Sequence, residues 1–133
     1  MKIKFEEFLN EANQERDDYF VFCEVGNQPN CDILIDVTLD EAETTSWAMA
    51  QELYQSYEGL HGMRSYSEIE EEMREEDEDV SEDDITMTYN EEIESWASYY
   101  AEKFDPNSEK QLDYLKQEGL RNIPVKYKYL FEK

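Results

Sequence analysis

The sequence predicts an α+β fold in which four to five helices pack on a small, mostly antiparallel sheet, and three observations predict it. First, β-rich runs at Tyr19–Val25 and Cys31–Val37 flank a cluster of turn formers, Gly26-Asn27-Gln28-Pro29-Asn30. Second, later runs place apolar residues at helical spacing, with cap-forming residues in front and glycine behind. Third, the 133 residues are 39% hydrophobic and include 10 Tyr, 6 Phe and 2 Trp, enough for a core shared by one domain spanning 1–133.

The elements follow in order. Phe5, Phe8, Leu9 and Ala12 fall at helical spacing within 3–15, which predicts a short amphipathic opening helix. The two β-rich runs then form a hairpin. Asp40 with Glu43 has capping-box character, and Trp47, Ala50, Leu53, Tyr54 and Tyr57 make one stripe before Gly59 stops the helix. Ser65 with Glu68 starts another helix, whose thin apolar edge of Tyr66, Ile69 and Met73 makes it mostly surface. Ile85, Met87 and Tyr89 alternate with Thr86 and Thr88 as in a half-buried strand. Asn90 then caps a helix carrying Ile93, Trp96, Ala97, Tyr100, Ala101 and Phe104 at i, i+3, i+4 spacing. Asp105-Pro106-Asn107 ends that helix, and Ser108 begins a short one through Leu112 and Leu115 to Gly119. Val125, Tyr127, Tyr129 and Phe131 alternate with Lys126 and Lys128 in a final strand. Trp47 and Trp96 are expected as core anchors.

Val37-Thr38-Leu39-Asp40-Glu41 followed by Ser46-Trp47-Ala48 is similar to Met87-Thr88-Tyr89-Asn90-Glu91 followed by Ser95-Trp96-Ala97, offset by 50 and then 49 residues. Two readings stand: a strand-helix-helix pseudo-repeat covering 31–80 and 84–133, or two core helices that each need an N-cap and an aromatic anchor.

Charge bounds function most sharply. The formal net charge is −23, whereas solubility of a small domain needs only about 2 to 8 charges. Disordered acidic chains are poor in aromatics, so the 14% aromatic content places this charge on a folded body. Residues 1–102 hold 30 acidic and 5 basic residues, and residues 103–133 hold 5 acidic and 7 basic. Adaptation to very high salt would also select acidity, but six Lys in the last 31 residues is more than such a surface usually keeps. Within Glu68–Glu94 there are 15 acids and one base, Arg74, with the densest run at Glu75-Glu76-Asp77-Glu78-Asp79. As one helix that segment would extend about 40 Å, with roughly one carboxylate per 2.7 Å against ~3.4 Å per phosphate of a duplex strand. The candidate partner-binding residues are Glu68, Glu71, Glu72, Glu75, Glu76, Asp77, Glu78, Asp79, Glu82, Asp83 and Asp84. A solvated acidic face is the bland alternative. Acids also crowd at Glu6, Glu7, Glu11, Glu15, Asp17 and Asp18 and at Asp40, Glu41 and Glu43, so the field covers several elements.

Motifs for chemistry are few. Carboxylate pairs carry no signal without a pocket. The single histidine, His61, sits between Gly59 and Gly62 in an expected surface loop. Four glycines supply no phosphate-binding loop. Asp77, Asp79 and Ser81 match calcium-loop positions 1, 3 and 5, but Glu82 stands where glycine is needed and Thr88 where glutamate is needed. Cys23 and Cys31 have no metal-ligand spacing and are expected as free thiols, a cross-hairpin disulfide being the alternative. The expectation is a protein that is not an enzyme and takes no cofactor and no metal. No run reaches the ~18 apolar residues of a membrane span. Met1-Lys2-Ile3-Lys4 leads into Phe5-Glu6-Glu7 without a signal-peptide stretch, so a cytoplasmic location without a membrane partner is expected.

Small size, low pI, Tyr and Trp richness and glutamate-studded helices together resemble the phage- and plasmid-encoded DNA-mimic inhibitors of host defence. These include anti-restriction proteins of the Ocr and ArdA kinds and several anti-CRISPR proteins. Tyr57-Glu58-Gly59 and the acidic stretch Tyr66–Glu72 are similar to the Tyr-rich acidic segments of ArdA proteins, while the basic last quarter departs from the Ocr pattern. The likeness is one of composition and implies no particular site residues. It implies a nucleic-acid mimic, in the host-cell cytoplasm if phage-encoded, that blocks a basic DNA- or RNA-binding defence protein and does not itself bind nucleic acid. The alternatives are an immunity or antitoxin protein neutralising a basic nuclease toxin, and an acidic chaperone for a basic protein. A homodimer is compatible with each.

Overall fold

In the computed structural model, which describes residues 15–120 and 123–132, the hairpin turns more tightly than its run of turn formers suggests. Strand β1 (Arg16–Val25) leads through Gly26 and Asn27 alone into β2 (Gln28–Thr38). Both turn residues have positive φ, 55° and 70°, the two-residue geometry whose twist matches that of the strands it joins. Pro29 is therefore a strand residue, tolerated because β2 is an edge of the sheet. The opening helix expected over 3–15 lies, but for Glu15, outside the described residues.

The sheet has three antiparallel strands in the order β2-β1-β3, β3 being Ala97–Lys103. As the central strand, β1 is buried on both faces, which is why Tyr19–Cys23 reads as a continuous apolar run rather than an alternation. Phe20 and Phe22 point to one face, with Ile33 and Tyr100 beside them in register; Tyr19, Val21 and Val25 point to the other.

Helix α1 (Leu39–Tyr57) covers the second face. Its buried stripe is Ala42, Ser46, Ala50 and Tyr54, so three small residues at i, i+4 spacing bring the helix close to the sheet. The N-cap is Thr38, not the Asp40 expected: its hydroxyl oxygen accepts from the Glu41 N–H at 3.1 Å and its hydroxyl donates to the Glu41 carboxylate at 3.2 Å. Helix α2 (Tyr66–Glu76) starts at Ser65 as expected, and α4 (Glu109–Gln117) starts at Ser108. With Phe104 and Tyr127, Leu115 of α4 closes the first face of the sheet over Phe20 and Phe22.

Two expectations are corrected, and the pseudo-repeat reading is left unconfirmed. The strand expected at Ile85–Tyr89 and the helix expected from Asn90 to Phe104 exchange roles: α3 spans Glu82–Trp96, capped by Ser81, and the chain passes without a loop into β3. Ile85, Tyr89 and Ile93 form an i, i+4, i+8 buried stripe, leaving Met87 59% exposed. The apolar residues from Ala97 to Phe104 fit either period, and the open edge of β1 decides in favour of the strand, pairing Val25 with Ala97 through Tyr19 with Lys103. The final strand expected at Val125–Phe131 is a 3₁₀-helix, Val125–Leu130, in which Tyr127 and Leu130 face inward one turn apart. Finally, the stretches aligned as a pseudo-repeat differ in backbone: Val37-Thr38-Leu39 closes a strand and opens a helix, whereas Met87-Thr88-Tyr89 lies inside one.

Trp47 and Trp96 both pack against the helical core, but each remains half-buried. Trp47 stands against the ring of Tyr99 with centroids 5.1 Å apart, and the Trp96 indole N–H donates to Glu92 at 3.4 Å. Replacing either with Ala is expected to cost about 2 kcal/mol, less than the 3 to 5 of a fully buried Trp. Urea unfolding of the single variants checks this.

Candidate acidic interface

A five-residue connection, 77–81, folds α3 back against α2, so the two form an antiparallel hairpin. Ile69 and Met73 of α2, Val80 of the connection and Ile85, Tyr89 and Ile93 of α3 turn inward onto Tyr54 of α1, leaving the polar residues of the hairpin outside. The connection is pinned at several points. Asp77 N–H donates to Met73 O at 2.9 Å, Val80 N–H to Asp77 O at 3.2 Å, and Asp79 N–H to the Asp77 carboxylate at 3.0 Å. Arg74 adds a bond to Glu78 O at 3.3 Å.

Every candidate binding residue lies exposed on this hairpin. Glu68, Glu71, Glu72, Glu75 and Glu76 are on α2, Asp77, Glu78 and Asp79 on the connection, and Glu82, Asp83 and Asp84 in the first turn of α3. Among described cations, Glu72 alone of this set meets one, Arg64. The continuous 40 Å rod is thus replaced by two helices of about 16 and 22 Å. Eight of the acids, from Glu75 to Asp84, gather around the hairpin tip instead of following a line.

Helix electrostatics separates these acids into two groups. Glu82, Asp83 and Asp84 sit at the positive end of the α3 dipole and stabilise their own helix. Glu75 and Glu76 sit at the negative end of α2, followed at once by Asp77. Each like-sign placement costs on the order of 0.3 to 1 kcal/mol, so helix stability does not account for these residues.

Other acids are engaged within the fold. Asp17 meets Lys103 at 3.5 Å, and Arg16 bridges Asp36 at 3.2 Å and Glu41 at 3.4 Å. Asp18 is buried at a β-bulge, where the register shifts between Asp17 and Tyr19. Its carboxylate accepts from the Lys126 ammonium at 2.6 Å, the Asp36 N–H at 3.0 Å and the Tyr127 hydroxyl. Burial pushes the Asp18 carboxyl up, and the bonds from Lys126, Tyr127 and Asp36 together outweigh it and hold the group below its ordinary value. Part of the basic C-terminal quarter is therefore a counterpart to β1, a role not visible from the charge totals.

Arg64 is the residue most clearly missed by reading the sequence. From the segment before α2 it bonds Glu92 of α3 at 2.6 Å and also Glu72, clasping the open end of the hairpin. Its carbonyl accepts from the Tyr54 hydroxyl at 2.6 Å. The bond from Arg64 holds the Glu92 carboxyl below its ordinary value. Nearby, the Tyr89 hydroxyl donates to Glu58, and burial with that carboxylate raises the phenol well above its usual range. A lone cation between two helices in an acidic stretch was the available signal.

The cysteines are free and point to opposite faces of the sheet, Cys23 lying opposite Asn30 and Cys31 opposite Phe22. Burial, with Glu118 nearby, pushes Cys23 up to about 11 and Cys31 up to about 12, so both are protonated near neutral pH. Exposed His61 occupies a turn with positive φ of 54°. Among the described residues no group of three or more His, Cys, Asp or Glu is placed to hold a metal ion, and no helix is long and apolar enough to cross a membrane. Comparisons with protein-family models, curated proteins and solved structures find no match for the chain.

Proposed function

We propose that the protein is a stoichiometric inhibitor that imitates a nucleic acid, using the α2–α3 hairpin to occupy the basic groove of a DNA- or RNA-binding protein of the host-defence kind. The observation that carries this reading is the exposed acid group at the hairpin tip, including Glu75 and Glu76 held against their own helix dipole. Carboxylates fixed on a pinned backbone meet lysines and arginines without first losing chain freedom, and they offer no bond to cleave. The work is done in the cytoplasm, where such a target meets its nucleic acid.

The experiment is capture of the partner from a bacterial lysate on immobilised protein, followed by competition with DNA and RNA for the captured partner. Mutual exclusion supports mimicry; simultaneous binding of nucleic acid and inhibitor overturns it. The protein itself is expected to leave bare DNA unshifted in an electrophoretic assay at micromolar concentration and moderate salt, because its surface repels phosphates.

One observation favours a second reading. The acids form a compact tip instead of a long array, which suits an immunity or antitoxin protein covering the basic active-site cleft of a nuclease toxin. Identification of a toxin as the captured partner would decide for it.

A further inference from the structure

Strand β2 is an edge of the sheet, and among the described residues no strand pairs with its outer side. The β1–β2 hairpin closes through two residues, so Val25 and Gln28 form a hydrogen-bonded pair, and alternation makes Cys23 with Asn30 and Val21 with Asp32 the next such pairs. The residues between them, Pro29, Cys31 and Ile33, direct their backbone groups away from β1. Two observations agree with this. Pro29 stands where β1 asks for no donor, and the Ile33 N–H donates to the Asp32 carboxylate at 2.8 Å. A groove of about 360 Å³ opens on this edge, with Cys31 and Asp32 at its floor and with Thr45, Met49 and Glu52 of α1 and Glu118 at the end of α4 around it. Its three carboxylates, on Asp32, Glu52 and Glu118, meet no described cation. Burial pushes the Asp32 carboxyl above its ordinary value, and the bond from Ile33 offsets this only in part.

We propose that this edge binds an extended peptide segment of a partner, bearing lysine or arginine, which joins the sheet as a further strand beside β2. The outward N–H and C=O groups of Cys31 and Ile33 select an extended segment, because only a strand running ~4.8 Å away meets such groups in series. The carboxylates select its charge. An arriving strand takes the Ile33 N–H from Asp32, and a basic side chain on that strand gives the displaced, partly desolvated carboxylate a new partner. Glu52 and Glu118 flank the same path. A second copy of this chain is the poorer occupant, since it brings these acids against their own kind with a net charge of −23 on each chain. The edge shares no residue with the α2–α3 hairpin, so it is a second interaction surface that does not rest on the mimicry reading.

The test uses the full 133-residue chain at physiological ionic strength and two probes. One is a short synthetic peptide of alternating lysine and valine; the other is the same peptide N-methylated at consecutive central residues, which keeps the charge but removes donors from both of its edges. Amide hydrogen exchange at Cys31 reports on the outer edge of β2, and exchange at Val21 in the central strand reports on global unfolding. The plain peptide at saturation is expected to slow exchange at Cys31 by about tenfold and to leave Val21 unchanged. Glu52→Gln with Glu118→Gln is expected to weaken its binding several-fold, whereas neutralising Glu75, Glu78 and Asp79 on the hairpin leaves binding unaltered. Equal binding of the N-methylated peptide overturns the proposal, because charge attraction alone then holds it. Exchange at Cys31 that the peptide does not change also overturns it, as does exchange already as slow as that of Val21 before peptide is added, which shows the edge to be paired. Binding that survives the Glu52 and Glu118 changes undiminished overturns the choice of a basic partner.

Discussion

Replacing Asp18 with Ala is expected to lower stability by about 3 kcal/mol, and the melting temperature by roughly 10 to 15 °C. The change removes the acceptor shared by the Tyr127 hydroxyl, the Asp36 N–H and Lys126, leaving the buried Tyr127 hydroxyl and the part-buried Asp36 N–H without this partner. The 3₁₀-helix would lose its anchor to β1, and with it the cover over Phe20 and Phe22. The effect has a pH signature with a definite sign. Asp18 has a depressed folded-state value, so its contribution is complete above the ordinary carboxylate value of 3.8 and is lost as pH falls through the lower folded value. Wild type and variant should therefore differ fully at neutral pH and converge in acid. Lys126 is raised chiefly by its bond to Asp18, so the difference should shrink again as pH climbs past the ordinary lysine value of 10.5. Thermal unfolding of both proteins across pH measures this; a difference that stays constant into acid would show that the carboxylate form is not what the bulge binds.

The parts of the fold legible in the sequence were those whose signals are local. The hairpin and the Ser65 and Ser108 caps depend on neighbours within a turn or two, and the structure keeps them. Of the stripe expected on α1, Ala50 and Tyr54 are buried, while Trp47, Leu53 and Tyr57 are half-buried and Ala42 and Ser46 take their place against the sheet. The residues from Ile85 to Phe104 were misassigned because two periods fit them almost equally. Ile85, Met87 and Tyr89 alternate, yet Ile85, Tyr89 and Ile93 also lie four apart; Ser81 with Asp84 was the capping signal that should have broken the tie. Nothing between Trp96 and Ala97 marks a boundary, because what ends the helix is the vacant edge of β1, some seventy residues earlier in the chain. In the same way the acidic segment was legible as a feature but not as a shape. Its charge follows from sequence, while its fold-back depends on Val80 reaching the core and on Arg64 joining Glu72 to Glu92. Asp18 shows the limit most plainly, since an acid counted with the surface field proves to be a buried joint to the far end of the chain.

Neutralising Glu71, Glu75, Glu78, Asp79 and Asp83 together, as Gln or Asn, is expected to weaken binding to the captured partner by on the order of a hundredfold or more, whereas each single change weakens it only a few-fold. All five side chains are exposed, and none meets a described cation, so each offers a partly screened contact of about 0.5 to 1 kcal/mol that adds to its neighbours. A basic groove built for a phosphate array accepts many such contacts and depends on none of them. The salt dependence of affinity should flatten in the five-fold variant, because fewer charges are brought together on binding. Folding should survive, since removing Glu75 relieves the unfavourable end of the α2 dipole. A conventional interface predicts the contrary pattern: one substitution at an exposed apolar residue such as Met87 or Leu60 abolishes binding, and the salt slope is shallow throughout. Affinity measured across a salt series for wild type, the five single variants and the combined one separates the two. If the combined variant binds as wild type does, the hairpin tip is a solvated face and the mimicry proposal fails there.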